Sequence, residues 1–171
     1  MYIRKKNKNA FTGLHVQGLP KMNEHSSLEM FIDGDFLVLE HLKGIGFFNK
    51  NVEVTDIFKI HHDKIISLDI IDKTNISSKS KSVVGRGIAG DLIFGPVGAV
   101  LGGMSGAKTD IKSTTIYYFN IAYYGKNEND IKTIILRLGY DNSKALKFIR
   151  EFNDKFMLDE SMINENGEII L

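Results

Sequence analysis

Hydrophobic positions fall in short strand-like runs through the first half of this chain and again from Thr114 to Leu138, then switch near the end to spacings of three and four. Leu28-Glu29-Met30-Phe31-Ile32 and Phe36-Leu37-Val38-Leu39-Glu40 are apolar-rich runs separated by Asp33-Gly34-Asp35. Asp-Gly between two such runs predicts a tight hairpin of antiparallel strands. Ile45 to Phe48 and Val52 to Ile60 flank Asn49-Lys50-Asn51 and predict further strands, while Ile66, Leu68 and Ile70 alternate with Ser67 and Asp69 in a half-buried pattern. The first half therefore reads as a β-meander. Thr114 to Tyr124 is dense in β-branched and aromatic residues, and Ile131 to Leu138 is a second such run beyond the polar loop Gly125 to Asp130. These two predict a long hairpin.

The period then changes. Ala145, Phe148, Ile149, Phe152 and Phe156 recur by three and four behind Asn142 or Ser143, either of which can cap a helix. Short antiparallel strands followed by one helix with a Phe-rich face predict a mainly β, α+β fold: a barrel or sandwich whose open end the helix plugs. Beyond the helix, Asn166-Gly167 lies between Ile163 and Ile169, which predicts a small hairpin or an edge strand in the tail 158–171.

One segment breaks the pattern. From Lys81 to Asp110 the chain is apolar and glycine-studded, holding half of the protein's 16 Gly, and Leu92 to Ala107 carries no charge. Gly98, Gly102 and Gly106 recur every four residues, which places them on one face of a helix. Gly95-Pro96 divides the segment into two arms, with proline suited to the first turn of the second. The pattern predicts an insertion at 78–112 containing a glycine-rich helical hairpin at 83–107. Glycine inside a helix costs about 1 kcal/mol relative to alanine, so this many imply close packing against something. Gly87, Gly90, Gly95, Gly98, Gly102 and Gly106 form the expected contact face.

The order of elements, with Phe58-Lys59-Ile60-His61-His62-Asp63-Lys64-Ile65 leading into a strand and two long strands before a final helix, resembles the bacterial pleckstrin-homology-like (PH-like) domains. The glycine segment, with Gly85-Arg86-Gly87, Gly95-Pro96-Val97-Gly98-Ala99 and Gly102-Gly103-Met104-Ser105-Gly106, is similar to an insertion recurring in uncharacterised proteins of low-GC bacteria and their phages. The resemblance covers about Phe11 to Phe156. It implies a PH-like domain over 11–157, behind a basic segment 1–10, that serves as a binding or scaffolding module. It carries over no catalytic residue.

Three functional readings compete for the insertion. As a soluble packing element it docks a protein partner or a second copy of the chain. As a membrane element the two arms dip into one leaflet, with Lys79, Lys81, Arg86, Lys108 and Lys112 near anionic head groups. The uncharged run is shorter than the roughly 20 residues of a full span and is broken by Gly95-Pro96, and Asp91 stands against burial in lipid. As a phosphate or nucleotide cradle, Gly85-Arg86-Gly87-Ile88-Ala89-Gly90 spells GxGxxG with Asp110 twenty residues on, but a dinucleotide fold needs a βαβ unit and the flanks are meander. The first reading is preferred.

Composition narrows the rest. The 171 residues, 43% hydrophobic and 25% charged, suit one folded domain. A net charge of +1 gives no bulk attraction to nucleic acid, and Tyr117 to Tyr124 lacks the interleaved Arg and Lys of a base-stacking surface. The absence of Cys removes thiolate nucleophiles and thiolate metal sites and fits a reducing compartment. No apolar signal segment stands near residue 1, so the expected location is cytoplasmic, with attachment to the inner membrane face as the variant. His61 and His62, adjacent on a strand, would face opposite ways and share a metal only across a turn. His15, His25 and His41 show no ligand spacing and read as partly buried or surface residues. Asp33, Asp35, Asp69 and Asp72 read as solvated. No catalytic residue, cofactor, metal or small-molecule substrate is expected.

Overall fold

A computed structural model describes residues 9–45, 51–72 and 115–156. Seven strands run in chain order: β1 (Phe11–Gln17), β2 (Ser27–Asp33), β3 (Phe36–Ile45), β4 (Asn51–His61), β5 (Ile65–Ile71), β6 (Tyr117–Tyr124) and β7 (Ile131–Gly139). The helix α1 (Ser143–Phe156) follows. The strands form one antiparallel sheet in the order β4-β3-β2-β1-β7-β6-β5. The first four are a meander and the last three a second one. The pairing of β1 with β7 joins them, with Leu14 opposite Arg137 and a register shift between His15 and Gln17.

The β2–β3 hairpin turns where Asp-Gly predicted it, with Asp33 opposite Phe36. Gly34 has φ +59° and Asp35 is not in the left-handed region. One left-handed residue in the first turn position belongs to a type II′ turn, whereas type I′ needs two. The hairpin of β6 and β7 also forms as its β-branched and aromatic runs require. In β5 the expected alternation is broken by a register shift between Ile65 and Ser67. Ile65, Leu68 and Ile70 consequently face the main core, and Ile66 joins the opposite side.

β1 is a strand that hydrophobic pattern alone does not announce. Its inward positions are Phe11, Gly13 and His15, none β-branched, and its hydrogen-bond partners lie more than ten residues away on β2 and at the far end of the chain on β7. The expected strand Ile45 to Phe48 is in part the end of β3, and residues 46–50 lie outside the described residues. So do most of the basic segment 1–10, the whole insertion 78–112 with its hairpin 83–107, and the tail 158–171.

The inner face of the sheet and one face of α1 make the main core. Leu28, Met30, Leu37, Leu39, Phe119, Ile121, Ile134 and Leu136 meet Ala145, Phe148 and Phe152 of the helix there. Phe11 lies edge-on to Phe119 and to Phe148, with ring centroids 5.1 and 5.2 Å away. The three-and-four spacing of the helix delivers those residues to one side, and Ile149 and Phe156 border them half-buried. The helix opens behind Asn142, one of the two expected caps, whose carbonyl accepts the Leu146 amide at 2.9 Å, and just before it Asp141 Oδ1 accepts the Ser143 amide at 2.9 Å. That bond holds the Asp141 carboxyl below the usual carboxylate range.

Candidate interaction surface

The glycines expected to form the contact face (Gly87, Gly90, Gly95, Gly98, Gly102 and Gly106) and the basic residues expected to flank it (Lys79, Lys81, Arg86, Lys108 and Lys112) all lie outside the described residues. The structure does place the two roots of their segment. The chain leaves β5 after Ile71 and enters β6 at Tyr117, and these strands are hydrogen-bonded neighbours with Ile71 opposite Tyr118. Exit and return therefore stand side by side at one end of the sheet.

Beside those roots the outer face of β5, β6 and β7 carries an apolar cluster set among polar side chains. Tyr118, Asn120 and Ala122 share that face by the two-residue period of a strand. Register sets Arg137, Ile135 and Thr133 next to them from β7, and Ile71, Asp69 and Ser67 from β5. Ile71, Tyr118, Ala122 and Ile135 form a second buried cluster, bordered by Val16, Ile66, Ile116 and Ile131. Alternation in Tyr117 to Tyr124 requires at least one buried row, and here the middle of both rows, Tyr118 to Ala122, is buried. The aspartates divide: Asp33 and Asp35 are exposed, whereas Asp69 is half-buried and Asp72 buried, contrary to a solvated reading of all four.

At the centre of this second face sits Asn120, 0% exposed, with neither Oδ1 nor Nδ2 hydrogen-bonded. Ser67 Oγ on the neighbouring strand is also buried without a partner. An unpartnered buried polar group costs about 1–3 kcal/mol, so both mark a place where polar contact is wanted. Sequence reasoning passed over Asn120. Its signal was an amide in the middle of an aromatic and β-branched strand.

His15 organises the β1–β2 loop from inside the core. It is 3% exposed, its Nε2 accepts the Leu19 amide at 3.3 Å, and its Nδ1 lies 3.1 Å from the Asn23 carbonyl. A carbonyl can only accept, so Nδ1 carries the proton and the ring is the neutral Nδ1–H tautomer. His41 lies at the surface of β3, where its Nδ1 is 3.2 Å from Asp56 Oδ2. This contact, followed by the Thr55 hydroxyl, holds Asp56 below the usual carboxylate range.

The turn that His61 and His62 would need is present. β4 ends at His61, and residues 62–64 form a single 3-10 turn. The two rings consequently stack at 4.7 Å rather than pointing apart. Asp63 reaches back to both, its oxygens 3.3 Å from His61 Nδ1 and 3.0 Å from His62 Nδ1. One ligand atom from each of the three lies within 4.8 Å of the others, a spacing that a divalent transition ion can bridge. Phe36 meets His61 edge-on at 5.1 Å, and His62 stacks on Phe156 at 4.4 Å. Through these contacts the rings tie the end of β4 to the end of α1.

A seven-stranded antiparallel sheet closed by a C-terminal helix, with a long segment inserted between β5 and β6, is thus in place. Residues 30–145 match the family described as glycine zipper containing PH domain. The chain belongs to this family. Comparison with curated proteins and with solved structures finds no match. In this glycine-zipper PH domain the matched span runs from β2 through the insertion to the first turn of α1. The end of β2, strands β3 to β7, the glycine segment and the helix start therefore lie within one family unit, and β1 lies before it.

Proposed function

We propose that this glycine-zipper PH domain is a non-enzymatic interaction module whose inserted segment makes the contact, joining a second copy of the chain or docking a protein partner through Gly87, Gly90, Gly95, Gly98, Gly102 and Gly106. The observation that supports this most is the family match, which takes in most of the PH-like sheet and the glycine segment together. The geometry of the roots agrees with it. Neighbouring strands receive both ends of the segment, so a contact element can vary there without disturbing strand order. Small residues at four-residue spacing let backbones approach closely, and the side-chain entropy lost on contact is nil for glycine. Among the described residues no helix is long and apolar enough to cross a membrane.

Light scattering of the full chain over a concentration series, without detergent, tests the proposal. A mass that rises from one chain to a defined oligomer supports self-association. A monomer at every concentration that floats with anionic vesicles overturns it in favour of attachment to lipid.

A further inference from the structure

We propose that the insertion docks on its own domain, seating its bulky apolar stripe on the outer face of β5, β6 and β7. This rests on reading the segment as the contact element, and it specifies which surface of the domain the segment uses.

The second buried cluster raises a question of cover. Side chains on one face of a single sheet shield each other sideways but stay open above, unless another layer lies over them. Ile71, Asn120, Ala122 and Ile135 are nevertheless all 0% exposed, and Tyr118 is 3%. The cluster and its borders consist of side chains from β1, β5, β6 and β7 together with Ile116 at the edge of β6. The helix α1 is spent on the opposite face, where Phe148 and Phe152 fill the main core. Among the described residues no second layer covers this side.

Continuity of the chain selects the occupant. Residues 73–114 leave from Ile71-Asp72 and return to Ile116-Tyr117, and Ile71, Ile116 and Tyr118 are themselves members or borders of the cluster. A segment tethered at both ends beside a face has a high effective concentration over it. Its sequence fits. At 100° per residue, Val97, Val100 and Met104 fall opposite Gly98, Gly102 and Gly106, with Leu101 at the edge of that stripe. The bulky stripe can therefore rest on Tyr118, Ala122 and Ile135 while the glycine stripe stays free for the close contact between arms or between copies. Asn120 supplies the independent pointer. Both its amide groups are buried without partners in the centre of the face, and a glycine-rich backbone, unscreened by side chains, brings peptide N–H and C=O groups within reach of such an amide.

The chain has no Cys, so single thiols can be introduced cleanly. In the full-length protein, held at a concentration where it is monomeric, Ala122→Cys is treated with a maleimide and compared with Lys126→Cys in the exposed β6–β7 loop. The thiol at 122 reacts at least about 100-fold more slowly if the face is covered. Thr133→Cys, opposite Ala122 on β7, repeats the measurement should the first variant misfold. Adding Leu101→Cys to Ala122→Cys then gives an intramolecular cross-link with a short bis-maleimide, and Asn120→Leu lowers the protection at 122 by about tenfold. Equal labelling at 122 and 126 overturns the proposal. So does a cross-link that forms only between two chains, or one that maps to the tail 157–171. Failure of self-association leaves these results unchanged, so the two readings fail separately.

Discussion

Alanine at Gly18 and alanine at Gly34 make a matched pair, because both glycines have positive φ and only one has a neighbour. Gly34 sits in the β2–β3 turn at φ +59°, and a Cβ built there meets nothing within 4 Å. The substitution bears only the left-handed strain, about 1–2 kcal/mol, partly offset by the stiffer unfolded chain. Gly18 sits at the end of β1 with φ +102°, where a Cβ would run into the Thr133 carbonyl oxygen and come within 2.8 Å of Ile134 Cα. Those are backbone atoms of β7 and cannot rotate away. Relief requires the end of β1 to move off β7, at the seam joining the two meanders. Adding about 1–3 kcal/mol for such a forced shift brings Gly18→Ala to roughly 3–5 kcal/mol. That is a large share of the 5–15 kcal/mol typical of a domain. Urea denaturation of the two variants beside the parent measures the difference. Losses that agree within about 1 kcal/mol would refute the placement of Gly18 against β7.

Other consequences follow from single side chains. Phe148→Ala removes a ring buried against Phe11 and Phe119 and should lower unfolding free energy by about 3–5 kcal/mol in the same assay. Nitrogen chemical shifts of His15 should report the Nδ1–H tautomer at neutral pH; the Nε2–H form would contradict the loop geometry. The Asp130 and Asp141 carboxyls are held low chiefly by the backbone amides of Lys126 and Ser143 respectively. A depressed folded value means stability that is present above the ordinary carboxylate range and lost as pH falls through the folded one. Asp141→Ala should therefore flatten the acid-side fall of melting temperature below the ordinary carboxylate range, and an unchanged acid limb would argue against the Asp141–Ser143 hydrogen bond.

Local chemistry accounts for what was legible in the sequence. Asp33-Gly34 marked a turn because few residues tolerate its backbone, and the Phe spacing of α1 marked a face because helix geometry admits one solution. β1 was hidden because Gly13 and His15 occupy its inward positions, and what places them is contact with β7, far away in the chain. The buried outer face was hidden for a related reason. Alternation in Tyr117 to Tyr124 says that two faces exist but not that the centre of the outer one is buried as well. His61 and His62 depended on a strand end that no local residue announces, and once β4 stopped at His61 their rings stacked instead of diverging. The glycine stripe was conspicuous from the start, since four-residue spacing is local, whereas the pairing of its two roots on β5 and β6 is set by strand register.

Sedimentation velocity of the double substitution Gly98→Leu with Gly102→Leu, run beside the parent chain over a range of concentrations, addresses the interaction module most directly. Branched side chains at two points of closest approach should shift the protein from oligomer to monomer by at least one order of magnitude in dissociation constant, while the thermal melt of the sheet and α1 stays within a few degrees. An unchanged oligomer would contradict the assignment of the glycine face as the contact.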